Sequence, residues 1–123
     1  MTRTATATVA QTASNAEAFG PVAPAMDSAT LRLLAEPTRA AIVQLLAVEQ
    51  LCTCHLVEEL NASQTNISNH LRVLRDGGIV TASPCGQFTY YALVPEVLAA
   101  VCEQFRHLAA QATQAVQVRR PCG

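Results

Sequence analysis

The chain has 123 residues, a net charge of −1 and eight basic residues, every one an arginine. That length suits one domain with a modest core, and the near-neutral balance argues against a non-specific nucleic-acid coat protein. Half the residues are apolar but only three are Phe and none is Trp, so the core has to come from Leu, Val, Ile and Ala, which favours helices.

Residues 1–26 predict a flexible tail, poor in large apolar side chains and interrupted by Gly20, Pro21 and Pro24. Its first stretch, MTRTATATVAQTAS, lacks the Leu-rich segment of an export signal. No apolar run approaches the ~18 residues of a membrane span. A cytoplasmic protein with no membrane partner is the expectation, with its cysteines as reduced thiols.

From Asp27 the pattern turns helical, with Leu31, Leu34 and Ala35 on one face. Pro37 restarts the chain at a first helical turn, where its missing N–H costs nothing. Thr38 to Glu49 then carries Ala41, Ile42, Leu45 and Leu46 at helical spacing. Cys52 to Leu60 predicts a short third helix with Leu56, Val57 and Leu60 inward. Ser63 is a candidate N-cap for a fourth helix, whose buried stripe is Ile67, Leu71 and Leu74. Gly77 and Gly78 end it.

The period then changes to two. IVTAS and QFTYYAL predict the strands of a β-hairpin joined across Pro84-Cys85-Gly86. Pro95 opens a long helix whose Leu98, Val101, Phe105, Leu108, Ala112 and Ala115 form a coiled-coil-like seam. One small domain does not cover so long a seam, so pairing with a second copy is expected. The domain is expected to run from 27 to 118, followed by a short tail at 119–123.

Two short helices, a tight polar turn and a hairpin make a helix-turn-helix with a wing, a mainly α fold. On the second helix, Thr65, Ser68, Asn69 and Arg72 point away from the buried stripe, with Ser63, Gln64 and Asn66 near its start. Asn and Gln bond adenine edges in bidentate fashion, Arg does so to guanine, and Ser adapts to either. A merely solvated helix face would carry Glu and Lys. This face therefore predicts contact with double-stranded operator DNA, with Arg75, and Gln87 near the hairpin tip, reaching the backbone. His70 lies between stripe residues and fits a half-buried position better than a base contact.

The cysteines fall at 52, 54, 85, 102 and 122. Close-set reduced thiols usually bind metal or do redox chemistry. A redox dithiol favours Cys-x-x-Cys beside a βαβ unit, and the chain has neither; no Ser/His/Asp order stands out, so an enzyme is not expected. A metal buffer without DNA binding conflicts with the polar face of the fourth helix.

The run SQTNISNHLRVLRDGGIV, with AEPTRAAIVQLL before it and FTYYAL after it, resembles the ArsR–SmtB family of metal-responsive winged-helix repressors. LCTCHL falls where that family's arsenic, cadmium and lead sensors carry Cys-x-Cys. The resemblance implies a dimeric repressor that leaves its operator when metal binds, with Cys52 and Cys54 as ligands. The arsenic form usually has a third cysteine at the position of Val57. The cadmium/lead form adds cysteines from an N-terminal arm, and residues 1–26 have none. The third ligand would then be Cys122, with Cys85 and Cys102 as alternates; His55, the neighbour of Cys54, is disfavoured. Of the family's zinc-type site on the long helix only Glu96 and His107 are present.

Soft thiolates select As(III) or Sb(III), with Cd(II), Pb(II) or Hg(II) as the alternative inducers and thiol oxidation as another trigger. A chain rich in Cys and poor in ligand His favours arsenite. On a regular helix Cys52 and Cys54 stand ~200° apart, so joint ligation is expected to bend the first turn of the helix.

Overall fold

The computed structural model describes residues 27–123; the tail expected over 1–26 lies outside them. In chain order the elements are α1 (Ser28–Ala35), α2 (Pro37–Leu46), β1 (Leu51–Cys52), α3 (Thr53–Leu60), α4 (Gln64–Asp76), β2 (Val80–Cys85), β3 (Phe88–Leu93) and α5 (Pro95–Ala115).

Side chains set the helix starts. Asp27 caps α1, its two oxygens accepting from the Thr30 N–H at 3.3 Å and the Thr30 hydroxyl at 2.7 Å. Glu36, extended ahead of Pro37, closes α1 and opens α2, its carboxylate accepting the Arg39 N–H at 2.8 Å. Ala35 is exposed rather than sharing the half-buried side of Leu31 and Leu34, because α1 ends there. α2 stops at Leu46, three residues short of the expected Glu49. Its last turn tightens through Val48 N–H to Leu45 C=O.

That early stop frees Leu51 and Cys52 to extend as β1, a strand too short to leave an alternation signal in the sequence. Leu51 pairs with Tyr91 and Cys52 with Tyr90, completing an antiparallel sheet of order β1-β3-β2. Cys52 is therefore not the first residue of α3, as the spacing suggested, but its extended N-cap (φ −90, ψ 170).

The turn between α3 and α4 needs only Asn61-Ala62-Ser63. Asn61 takes the left-handed conformation at φ 51, which Asn tolerates better than most side chains. Ser63 then caps α4 as expected, its hydroxyl accepting the Asn66 N–H at 3.1 Å. At the far end Gly78, at φ 78, supplies the left-handed residue, and Ile79 N–H closes on Leu74 C=O at 3.0 Å. Gly77 keeps right-handed dihedrals and makes room: a Cβ there would meet the side-chain tip of Leu33 of α1, which would have to move.

The hairpin turns at Gly86-Gln87, one step beyond the expected joint. Pro84 and Cys85 stay in β2, opposite Thr89 and Phe88. β2 is an edge strand, so proline's missing N–H costs no ladder bond there. Gly86 provides the positive φ of 64 that so short a turn needs.

The core gathers Ile42 and Leu46 from α2, Leu51 from β1, Leu56 from α3, Ile67, Leu71 and Leu74 from α4, then Ile79 and Val80 at the start of β2. All are aliphatic, as the composition requires. The observed architecture is a winged helix-turn-helix: α3 and α4 form the paired helices and β2–β3 the wing. α5 contributes no fully buried residue, and Phe105 and Leu108 of its seam are 48% and 45% exposed. No helix among the described residues is long and apolar enough to cross a membrane.

Candidate nucleic-acid interface and metal centre

Burying Ile67, Leu71 and Leu74 decides which way the rest of α4 faces. Ser63, Gln64, Thr65, Asn66, Ser68, Asn69, Arg72 and Arg75 are all exposed. They offer amide, hydroxyl and guanidinium groups along one continuous side of the helix. The Ser63 oxygen is engaged in its cap, which leaves its O–H free to donate to a phosphate. Gln87 is exposed at the hairpin turn, so wing and helix present polar groups of similar kind.

His70 is half-buried, as its position between stripe residues suggested. Its Nδ1 lies 3.2 Å from a terminal nitrogen of Arg39 and 3.8 Å from a Glu36 oxygen.

The second site stands where β1 runs into α3. Cys52 Sγ, Cys54 Sγ and a ring nitrogen of His55 lie within 4.8 Å of one another, and no other group of three or more His, Cys, Asp or Glu with metal-binding spacing occurs among the described residues. The expectation that joint use of both cysteines bends the helix does not hold for the sulfurs as they stand. Cys52 is extended ahead of the helix, so its sulfur folds back over the first turn instead of pointing to the opposite face.

His55 is the residue that sequence reasoning set aside. As a neighbour of Cys54 it looked unable to share an ion, but it is the third helical residue after the Cys52 cap. That spacing is the reciprocal one of a capping box. Nδ1 of His55 accepts the Cys52 N–H at 3.1 Å and stands 3.2 Å from Cys52 Sγ, while the Cys52 sulfur faces the His55 backbone N–H. The signal was available: Cys-x-x-His, read as cap and third residue, places thiol and imidazole side by side. The His55 ring also packs edge-on against Tyr90 of β3, centroids 6.0 Å apart.

The two thiols differ in environment. Cys52 is buried and Cys54 exposed. Burial pushes the Cys52 thiol up, but hydrogen bonds from the Cys54 thiol and from the backbone N–H groups of the first turn outweigh it and hold Cys52 below the ordinary thiol range. Cys54 shifts the other way, because its proton is held on the Cys52 sulfur and a second negative charge beside the first is unfavourable. Of the two, Cys52 therefore gives up its proton first, and an ion taking both sulfurs as thiolates displaces the proton on Cys54.

Cys85, Cys102 and Cys122 are exposed and stand outside this group, on the end of β2, on α5 and beyond α5 respectively. Glu96 and His107 lie in the first and fourth turns of α5.

Residues 36–82, from the α2 cap to the start of the wing, match the model of the bacterial regulatory protein family arsR. An arsenic resistance transcriptional regulator of Pseudomonas putida is 46% identical over 67 residues, 54% of this chain and 52% of that protein. An arsenical resistance operon repressor of Staphylococcus xylosus is 37% identical over 71 residues, 58% of this chain and 68% of that protein. A crystal structure of a possible transcriptional regulator for arsenical resistance superposes with a TM-score of 0.59 at 35% identity, covering 73% of this chain and 96% of that one. The match thus spans about half the length of the Pseudomonas relative and more than two thirds of the other two. All three are described as regulators rather than enzymes, in line with the absence of catalytic order in the sequence. By fold, by the placement of α4 and by these similarities, the chain belongs to the arsR family of bacterial regulatory proteins, winged helix-turn-helix proteins that bind DNA.

Proposed function

We propose that the chain is a transcriptional repressor that binds its operator as a homodimer and releases it when a thiophilic ion is held by Cys52 and Cys54. One observation carries this reading: two sulfurs and an imidazole nitrogen converge within 4.8 Å at the first turn of the helix-turn-helix. α4 lies across the major groove with Gln64, Thr65, Asn66, Ser68, Asn69 and Arg72 toward the bases, while Ser63 and Gln87 touch the backbone. The half-exposed seam of α5 at Phe105 and Leu108 supplies the dimer contact.

As(III) or Sb(III) is the inducer that the cysteine content favours. Such an ion takes a third thiolate, for which Cys122 is proposed, with Cys85 and Cys102 as alternates. All three lie outside the convergent group, so a third thiolate arrives by movement of the C-terminal segment or from the second copy. The arsenical resistance relatives support the same choice.

The site also links to the reading head. The groups an ion would take are those that cap α3, and Cys52 and His55 both adjoin Tyr90 of the wing strand. An ion that binds the low-affinity arrangement better by a coupling of ~1–3 kcal/mol shifts occupancy of the operator by roughly 5–150-fold.

His55 favours a second reading. Two thiolates and one imidazole suit a divalent ion, Cd(II), Pb(II) or Hg(II) among those the thiols select. Ligation at Nδ1 would cost α3 the Cys52 N–H bond. Oxidation of the thiols is a further trigger for the same site.

The test is a titration of reduced, metal-free protein with arsenite while free thiols are counted, alongside single Cys→Ser variants at all five positions. Protection of about three thiols at one arsenic per chain supports the first reading, and the variants name the third ligand. Protection by Cd(II) but not arsenite, lost in His55→Gln, supports the second. Thiols protected by neither, with release by peroxide, leave oxidation.

A further inference from the structure

The contacts around α4 point to a device that the DNA-reading face does not account for. α4 is held against the elbow between α1 and α2 at two places. At its C-terminus, Gly77 lets the Leu33 side chain of α1 pack so close that a Cβ there would force that leucine's tip to move. At mid-helix, His70 meets Arg39 of α2, 3.2 Å from its Nδ1. Arg39 in turn donates from Nε to the Leu33 carbonyl at 2.7 Å, and its own N–H goes to Glu36 at 2.8 Å. Leu33 therefore serves both contacts, the apolar one through its side chain and the polar one through its carbonyl.

Arg39 is the one arginine among the described residues that is not exposed. The other described arginines are exposed; this one is committed inward. An arginine has no acceptor, so a hydrogen bond from Arg39 to His70 uses Nδ1 as the acceptor, with the ring proton on Nε2. Glu36 stands beside both, its oxygen 3.8 Å from the imidazole. Three elements are thus joined by a polar chain, and its end on α4, the half-buried His70, lies about 100° round the helix from exposed Asn69 and about 200° from exposed Arg72.

We propose that Glu36, Arg39 and His70 are positioning residues: a polar latch that fixes the axial and rotational seating of α4 on the α1–α2 elbow and so sets how its exposed side meets the bases. This rests on the reading of α4 as the DNA-reading helix. A hydrophobic stripe of Ile, Leu and Leu resists separation of the helices but tolerates small sliding, because apolar contact is not directional. A hydrogen bond from a guanidinium with a second bond to a backbone carbonyl is directional. Base readout demands that precision: bidentate pairing fails when the side chains are displaced by a fraction of a bond length.

The test uses the full chain and a duplex recovered from a randomised pool by the unaltered protein. Compared are His70→Ala, Arg39→Lys, the double variant and His70→Asn, whose amide oxygen stands near the position of Nδ1. His70→Ala and Arg39→Lys are each expected to weaken the recovered duplex roughly tenfold. The double variant is expected to weaken it no further, since the two act as one unit. Affinity for a scrambled duplex is expected to stay unchanged, and His70→Asn to restore binding. Unchanged affinity in His70→Ala overturns the latch. So does a loss in His70→Ala that is additive with Arg39→Lys and unrescued by Asn, which makes His70 a DNA contact instead. If the unaltered protein recovers no duplex, the DNA-binding reading has failed, and the latch is still read from amide exchange. His70→Ala then has to speed exchange across residues 64–76 where His70→Asn does not; equal exchange in both overturns it.

Discussion

The two helices of the helix-turn-helix begin in opposite ways. α4 starts at Ser63, exposed, with an oxygen accepting the Asn66 N–H at 3.1 Å. α3 starts at Cys52, buried, where a sulfur faces the backbone and the Cys52 N–H donates in return to His55 Nδ1 at 3.1 Å. An oxygen cap is a good acceptor with little other chemistry. A sulfur cap is a poorer acceptor but an excellent ligand for soft ions. Under the proposed function the difference separates two jobs within residues 53–76: a reading helix whose start is fixed, and a sensing helix whose start can be traded for an ion.

The sharpest way to break this arrangement is to remove what the two helices share. Leu71→Ala empties a fully buried position of α4 and is expected to cost about 2–5 kcal/mol by chemical denaturation. Arg72→Ala leaves the core intact and is expected to lose about 1–3 kcal/mol of operator discrimination with no shift in thermal midpoint. Ser63→Ala removes the oxygen cap and is expected to cost ~1 kcal/mol of folding stability. The smallest effect concerns the elbow. The Arg39 N–H beside Glu36 holds its carboxyl below the usual range, so Glu36 stabilises the fold above the ordinary glutamate pKa and ceases to do so as pH falls through its lowered value. Glu36→Gln is therefore expected to be less stable than the unaltered chain at neutral pH, with the gap closing in acid, as read by thermal melts across pH.

The contrast also marks where sequence reading succeeds. The exposed and buried sides of α4 were legible: the Ser63 cap follows from its residue type, and the Ile67/Leu71/Leu74 stripe with the polar residues away from it from a 3.6-residue period. The α3 side was legible only in part. Helical spacing put Cys52 inside the helix, and the two-residue β1 that pulls it out leaves no periodic trace. Once Cys52 is the cap, the angle between the cysteines ceases to matter and His55 moves from a disfavoured position into the convergent group. The Arg39–His70 contact was invisible for a different reason: residues 31 positions apart meet only through the packing of α2 on α4.

In the proposed division of labour the start of α3 senses and the face of α4 reads. The most direct measurement is operator occupancy of the reduced protein as arsenite, then Cd(II), is added, for the unaltered chain and for Cys52→Ser. Serine keeps a capping acceptor but gives up the soft ligand. The prediction is release of the unaltered protein by at least one of the two ions, while Cys52→Ser binds the operator equally well and stays bound throughout. Equal release of both proteins would contradict the account, because the sensor would then lie elsewhere in the chain.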